Sequence, residues 1–532
     1  MKPSSTFDVV VVGAGSAGCV IAGRLSQIAH LRVLLLEAGG DNTEPWLHVP
    51  AGYYRTMLTG ATDWGYIGAP EPQLQGRRIR HPRGKVRGGC SSTNGLVYIR
   101  GASSDYDSWA AALSDETWRY QDVLPLFRRS ERNLDLDNEY HGREGPIRVA
   151  GTLYRSDLTE AFVDAAVMHD LPINNDFNGR TLDGVGYYQI TADPYRRSSA
   201  TAFLDGAGPA LEVRLCNHVL RIVVLDGRAV GLEILSGPGS IERIGCTQAI
   251  VLSAGAFGTP CILQRSGIGD PALLRALGIP VTLENTAVGS GLQDHLQVRV
   301  MFETAPENSL NQLQRGILND SERPGLVSDA LTVGAGAVGL FARSHDGVVA
   351  PDIQFHVIPF SAALPGKLHD TGGVTVSVCA LRPESRGFVA ISGLDPADAP
   401  HIECAYLSEP DDIRPIREGL RLMQQLAPSV GSRFIGCLSP VSLDASAAEL
   451  DRFIRATSST IFHPIGTCTM ARKGGVVDSR LRMKGVEHLW IADASVMPSI
   501  VSGNTNAACM MIGERAADEL AAALGVSRPW AV

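Results

Sequence analysis

The stretch "FDVVVVGAGSAGCVIAGRLS", residues 7–26, decides the fold. Residues 9–12 are a β-branched run long enough for a buried parallel strand, and Gly13, Gly15 and Gly18 follow it in G-x-G-x-x-G spacing. Each glycine has its own task. Gly13 permits the tight turn, Gly15 lets a pyrophosphate approach the backbone, and Gly18 brings the following helix against the strand. Unpaired N–H groups at the helix start, from Ser16 and Ala17 onward, face the anion. A second strand, residues 33–36, ends in Glu37, the place where a βαβ unit hydrogen-bonds a ribose diol, with Ala38 next to it. An acid there disfavours NADP. Glycine spacing alone is weak evidence, but strand, glycines, helix, strand and terminal acid in this order identify a dinucleotide site.

The chain has 532 residues, more than one ordinary hydrophobic core holds, and 44% of them are hydrophobic against 19% charged, as a packed globule requires. Its net charge of -9 and the absence of any Lys/Arg run exclude nucleic acid and an acidic membrane surface as partners. Ten scattered cysteines form no C-x-x-C pair, which is the usage of reduced thiols rather than of a disulfide frame or a metal site. Lys2 before an apolar run, with "AGSAG" after it, imitates a secretion signal, but Asp8 and the glycine pattern oppose that reading. Only fifteen uncharged residues separate Asp8 from Arg24, short of the ~20 apolar residues of a membrane span. The expectation is a soluble, cytoplasmic protein with no transmembrane segment.

Further along, residues 62–85 are rich in Pro, Gly and Arg and read as a long irregular excursion, a kind of loop that is usually functional. Residues 108–132 carry helical apolar spacing. Two β-rich runs flank Asp226-Gly227, a strong hairpin signal, and residues 249–269 return to strand, glycine turn and helix. Between residues 301 and 450 the pattern changes: residues 373–393 read as antiparallel strands and residues 413–426 as an amphipathic helix. The C-terminal stretch is again strand, loop and helix. The fold class is therefore α/β, a discontinuous Rossmann-like domain with an inserted α+β domain on an antiparallel sheet. Residues 1–155, 213–300 and 455–532 are assigned to the first, and residues 156–212 and 301–454 to the second. A second G-x-G-x-x-G, at Gly334, Gly336 and Gly339, lacks the context: its strand is weak, and the candidate acid Asp352 follows Pro351 and precedes a strand. One nucleotide must then carry the redox group itself or meet a separate NAD substrate.

Three later segments narrow the cofactor. "GKVRGGCSSTNGLVYIRG" (residues 84–101), "GAFGTPCILQRSGIG" (255–269) and "FHPIGTCTM" (462–470), the last with "ADASVMPSIVSGNTNAACMMIGERAAD", resemble the signature segments of the glucose-methanol-choline (GMC) oxidoreductases. The resemblance runs from residue 9 to about residue 524. It implies FAD, and oxidation of an alcohol by hydride transfer to flavin N5. Carried over, it places Gly13, Gly15, Ser16, Ala17 and Gly18 on the pyrophosphate and Glu37 and Ala38 at the adenosine ribose, with Val219 meeting the adenine. Asn94, Gly95, Leu96 and Val97 lie along the isoalloxazine and ribityl, Asp493, Ala494, Thr505 and Asn506 close the other side, and Trp64 is a further contact. Three positions depart from the family. Thr93 stands where some choline oxidases carry a flavin-linking histidine, so the FAD is expected to be non-covalent. Phe462 replaces a tryptophan common beside the catalytic histidine, which reshapes the substrate pocket. Arg87 replaces an apolar residue, and the sequence offers no reading of it.

Oxidising an alcohol removes a proton and a hydride, and the hydride leaves readily only as the oxygen becomes an alkoxide. His463 fits the base required, since imidazole titrates near neutrality, and Pro464 biases it toward an extended backbone. Asn506 is assigned as the neutral partner that orients the hydroxyl and steadies its charge. His295 in "GLQDHLQ" is assigned to structure, while His81, His218 and His356 have no role. Cys90 reads as a small space-filler, and Cys509, Met510 and Met511 as core. The expected activity is oxidation of a primary alcohol, with oxygen or a quinone-like carrier as electron acceptor. A hydroxynitrile lyase on the same fold, a flavin-free NAD dehydrogenase and a non-catalytic flavin binder are the competing readings. The alcohol itself is undetermined.

Overall fold

Residues 3–237, 239–319 and 328–530 are described by the computed structural model. The β-branched run lies in β1 (Ser5–Val12), and α1 (Ser16–Leu25) carries the chain to β2 (Val33–Leu36), parallel to β1. On its other side β1 pairs in parallel with β3 (Ser240–Leu252). Layers of helix and chain cover this sheet on both faces, so residues 9–12 and 33–36 are buried throughout and their sequence is continuously apolar. After β3 comes α2 (Gly255–Arg265), and at the chain's far end α3 (Asn506–Ala523) lies along α1. A Cβ on Gly513 would meet Ala17 O at 2.8 Å, so a glycine is what lets α3 approach that closely.

Leu211–Arg214 pairs with β2, Leu489–Ile491 pairs with β3, and the strands His218–Leu225 and Arg228–Gly237 continue the sheet as an antiparallel hairpin. Its turn is Asp226-Gly227 with φ of 49° and 76°, two left-handed residues in succession that match the strand twist. One sheet thus gathers three distant parts of the chain.

The second sheet is antiparallel and built around β4 (Leu296–Thr304), β5 (Ile353–Ile358) and β6 (Gly372–Ala380), with β6 between the other two. Val338–Ala342 and Gly184–Tyr187 extend it beyond β5. Alternation decides its two faces. Val298, Val300 and Phe302 stand opposite Val378, Val376 and Val374 and pack under the helix Ile413–Val430. Gln297, Arg299 and Met301, with Thr375, Ser377 and His356, point the other way into a cavity between the sheets.

Several expectations need correction. The excursion at 62–85 holds a ladder, Tyr66–Glu71 against Arg77–His81. The helical run at 108–132 is two helices, Ser103–Leu113 and Tyr120–Ser130. Strand Leu211–Arg214 straddles the boundary expected at 212, and β4 straddles that at 300, because strand pairing runs past both points. The second glycine motif runs into Val338–Ala342, an antiparallel strand. There Gly334 takes the Gly95 carbonyl against its Cα, and Gly339 takes the Tyr188 ring. Among the described residues no helix is long and apolar enough to cross a membrane.

Candidate active site

The cavity between the sheets has a volume of about 1220 Å³, elongated from the glycine turn to the polar face of β4, β5 and β6. At one end α1 starts at Gly15 without any side-chain cap, leaving its first N–H groups for a ligand. The three glycines differ in what surrounds them. A Cβ on Gly13 or Gly18 would collide with Ser253 O at 2.5 Å or Gly13 O at 1.9 Å, whereas one on Gly15 would meet nothing nearer than Ser253 O at 3.9 Å, so Gly15 is bare toward the cavity. Gly18 packs behind the turn. The other residues assigned to the nucleotide all line the cavity.

Glu37 is buried, and its two oxygens accept from the amides of Ala14 (2.9 Å) and Gly39 (2.8 Å). Burial pushes its carboxyl up to about 7, against the pull of those amides. The remaining lone pairs suit a diol. Val219 and Ala38 share this end with Trp64, which stacks on Tyr66 with ring centroids 5.8 Å apart and carries Lys85 Nζ over its face at 4.7 Å.

Nearer the middle, residues 94–97 form a strained loop, with Leu96 at a left-handed φ of 65°. A residue the sequence reading missed holds it. The buried Arg196 donates to Asn94 Oδ1 and to Asn94 O, both at 2.7 Å, and to Ser91 O and Leu47 O. Among the described residues no carboxylate pairs with it, and burial lowers Arg196 to about 9. Opposite, Asp493 accepts from Gly255 N (2.8 Å), Thr259 Oγ1 (2.6 Å) and Ser495 N (2.8 Å), which pins the starts of α2 and of the turn through Ala494. Thr505 caps α3 at the cavity wall without a side-chain bond. Two uncapped helix starts and a bare glycine turn, in a slot of this length, fit the pyrophosphate and flavin of FAD.

His463 lies at the junction of this slot and the polar sheet face. Its backbone N–H donates to Asp294 Oδ1 at 2.8 Å, and Asp294 Oδ2 takes the hydroxyls of Thr460 and Tyr406, each at 2.5 Å. The preceding residue, Phe462, has a left-handed φ of 72°, so the carboxylate holds the loop in a shape that its own backbone disfavours. The imidazole makes two contacts. Nδ1 faces Nδ1 of His295 at 3.0 Å, and Nε2 faces Nδ2 of Asn504 at 3.2 Å.

These contacts fix the protons. The Leu381 carbonyl, 2.9 Å from His295 Nε2, can only accept, so His295 carries its hydrogen there and presents a bare Nδ1. His463 must then donate from Nδ1, which leaves its Nε2 lone pair aimed at the amide hydrogen of Asn504 and at the cavity. Gln354 donates to Asn504 Oδ1 at 3.3 Å, which orients that amide. Burial, with the like charges of His295, His356 and Arg83, pushes His463 well below its ordinary value, and burial lowers His295 to about 4. Both rings are neutral at physiological pH.

Asn506 needs a correction. Its Oδ1 accepts from Ser16 Oγ at 2.7 Å, so it ties α3 to the glycine turn, and Asn504, two residues earlier, is the amide beside His463. His295 is corrected likewise, from a structural residue to the imidazole's direct partner. Arg87 now has an explanation: it pairs with Asp205 at 2.6 Å and Asp41 at 3.7 Å on the surface over the turn. His81, Asp294 and Cys404 lie within reach of one another, but both Asp294 oxygens are already taken by Tyr406 and by Thr460 and His463 of the catalytic loop.

The GMC oxidoreductase profiles match this chain over residues 7–297 and, for the C-terminal region, over residues 383–513. This chain belongs to the GMC oxidoreductase family. An alcohol dehydrogenase [acceptor] of Pseudomonas putida is 35% identical to this GMC oxidoreductase across 96% of it and 95% of the relative. A mitochondrial choline dehydrogenase of Mus musculus is 36% identical across 96% and 89%. Among solved structures, pyridoxine 4-oxidase from Mesorbium loti superposes with a TM-score of 0.86 at 29% identity, over 96% of this chain and 98% of that one. Formate oxidase gives 0.89 at 25%, over 98% and 99%. The family and the slot agree on FAD as the cofactor and on an alcohol as the reductant.

Proposed function

We propose that this GMC oxidoreductase oxidises a primary alcohol to an aldehyde, with His463 as base and Asn504 as the amide that orients the hydroxyl. The observation that carries the reading is the bare Nε2 of His463 beside an oriented amide at 3.2 Å. A substrate hydroxyl entering between them gives its proton to Nε2, while the second amide hydrogen of Asn504 steadies the alkoxide. FAD, when bound, supplies the acceptor for the hydride that leaves the carbinol carbon. His463 is neutral as the reaction begins and becomes an imidazolium only as that negative charge develops, so depression of its pKa keeps the base unprotonated.

Several finer points belong to the same reading. Thr93 has no ring nitrogen to bond to the flavin, so the FAD is held by the cradle without a covalent link at that position. The parallel sheet and the loops joined to it serve the nucleotide, and the polar face of β4, β5 and β6 serves the alcohol. The protein works in the cytoplasm, and oxygen or a quinone-like carrier takes the electrons. A base beside an amide would serve a lyase as well, and what favours oxidation is that the relatives named above are dehydrogenases and oxidases.

Anaerobic stopped-flow with a panel of alcohols tests this. Bleaching of the yellow oxidised flavin is expected, and subsequent admission of oxygen distinguishes the two acceptors. A flavin that stays oxidised with every alcohol would overturn the reading.

A further inference from the structure

Arg299 is the one arginine on the polar face of β4, and it lines the cavity beside Gln297 and Met301. Among the described residues its guanidinium has no hydrogen bond and no ion pair. The ionisable groups that act on its charge are the phenols of Tyr53 and Tyr54, from the helix Tyr53–Thr59, with no carboxylate among them. The other cations of the cavity are placed elsewhere: Arg77 on the carbonyls of Leu74, Arg455 and Ser458, Arg83 on those of Pro82 and Phe462, Arg265 on that of Leu220, and Lys85 over the Trp64 ring at the adenine end. Four of the five carboxylates of the cavity are engaged, and the fifth, Asp398, stands beside Gly393 on the loop that carries Asp395. Glu37 and Asp493 hold backbone amides, Asp63 pairs with Arg80, and Asp395 acts on His218 and Arg265 at the adenine end. The guanidinium stays open to the cavity, so an anion entering there can reach it directly.

The register places this cation relative to the base. Arg299 stands opposite Ser377, and Ser377 opposite His356, so one row of three strands, about 10 Å wide at ordinary strand spacing, joins Arg299 to the ring beside the catalytic centre. Along β4 the same face runs from His295, which touches His463, through Gln297 to Arg299, roughly 13 Å of extended chain. The Gln297 amide between them is spent on Ser377 and on Thr460 O, so it offers no competing charge. Tyr53 adds a phenol on the far wall with no hydrogen bond of its own among the described residues, a second donor facing the same space.

We infer that Arg299, with Tyr53, binds the carboxylate of the substrate, and that the alcohol oxidised at His463 is a hydroxy acid whose two ends are several carbons apart. One unpaired cation matches a monoanion, where a phosphate dianion would leave charge uncompensated. Choline, the alcohol named for the mouse relative, is a cation and meets a like charge here. The inference rests on the proposed alcohol oxidation and adds its substrate class.

The test compares ω-hydroxyhexanoate, its methyl ester and choline as reductants of the holoenzyme flavin. The acid is expected to exceed the ester in kcat/KM by about 10- to 100-fold, the range for loss of a charge-assisted hydrogen bond. Arg299→Gln should bring that ratio close to one, and Arg299→Lys should restore part of it. An ester or choline preferred by the natural protein, or a ratio unmoved by Arg299→Gln, overturns the inference. If no alcohol bleaches the flavin, the function reading fails, and hexanoate decides the anion site separately. Perturbation of the flavin spectrum by hexanoate, weakened in Arg299→Gln, supports the site, and no perturbation overturns it.

Discussion

The two sheets of this protein hold their ligands in opposite ways. The parallel sheet binds through backbone: bare amides at the starts of helices, a glycine whose added Cβ would meet nothing nearer than 3.9 Å, and carboxylates that hold loops. The antiparallel sheet works through side chains on alternate positions of β4, β5 and β6, and its base belongs to a loop from neither sheet's centre. Backbone binding demands particular residues at fixed spacing, because only glycine allows the close approach. Side-chain chemistry demands only that groups from distant segments meet, and residues 293–295 show how: Asp294 takes the His463 amide while the adjacent His295 takes the ring.

The sharpest way to separate the two halves is to remove the base. In His463→Ala the cradle is intact, so FAD should stay bound at normal occupancy while flavin reduction by alcohol slows at least about 100-fold, the low end for a lost acid-base group. Absorbance of the purified protein and anaerobic stopped-flow measure the two quantities, and near-normal reduction would remove His463 from the chemistry.

The next test exchanges neighbours. Asn504→Ala should slow flavin reduction by about 10- to 100-fold, as loss of one hydrogen bond to a charged oxygen does, with FAD retained. Asn506→Ala should instead weaken FAD binding several-fold, on the scale of one hydrogen bond, with reduction of the bound flavin little changed. A reversed pattern would return the catalytic role to Asn506.

The pair also marks where the sequence stopped being legible. Gly13, Gly15 and Glu37 could be assigned from order and spacing because each answers a backbone requirement inside one βαβ unit. In "GNTN" two identical amides stand two residues apart just before a helix, and the chain's turn at 504–506 sends one to His463 and the other to Ser16. Nothing in composition distinguishes them. Arg196 and Arg299 were invisible for the same reason, since an arginine's partners, or its lack of them, are set by segments that only the fold brings together. The adjacency of Asp294 and His295 was a usable signal: an acid beside a histidine, ahead of an alternating strand, offers a clamp for a loop.

His295 gives a test of how the halves communicate. His295→Leu removes the acceptor that fixes the tautomer of His463, and flavin reduction should fall about 10-fold, as for one misoriented acid-base group. The pH profile separates this from mere loss of packing. Protonated His463 cannot accept the substrate proton, so kcat/KM is lost as pH falls through its pKa, and burial plus neighbouring charge put that limb below the ordinary 6.5. Removing the His295 contribution should move the limb upward toward neutrality. A limb that stays in place would leave His295 a packing residue.

The smallest effect is expected at Arg87, where the backbone and the side chain serve different ends. Its amide donates to Gly40 O at 2.9 Å and its carbonyl accepts from Ser92 Oγ at 2.8 Å, which shapes the chain entering the flavin loop, and any residue type supplies those groups. The guanidinium only bridges Asp205 and Asp41, both about half exposed, across the surface above the glycine turn. Exposed pairs of this kind contribute about 0–1 kcal/mol and weaken with salt. Arg87→Ala should therefore lower the denaturation midpoint slightly at low ionic strength and not at all in molar salt, with flavin occupancy and reduction rate unchanged. A loss of FAD in this variant would mean that the side chain, and not the main chain, sets the turn, and the backbone character ascribed to the nucleotide half would fail at that point.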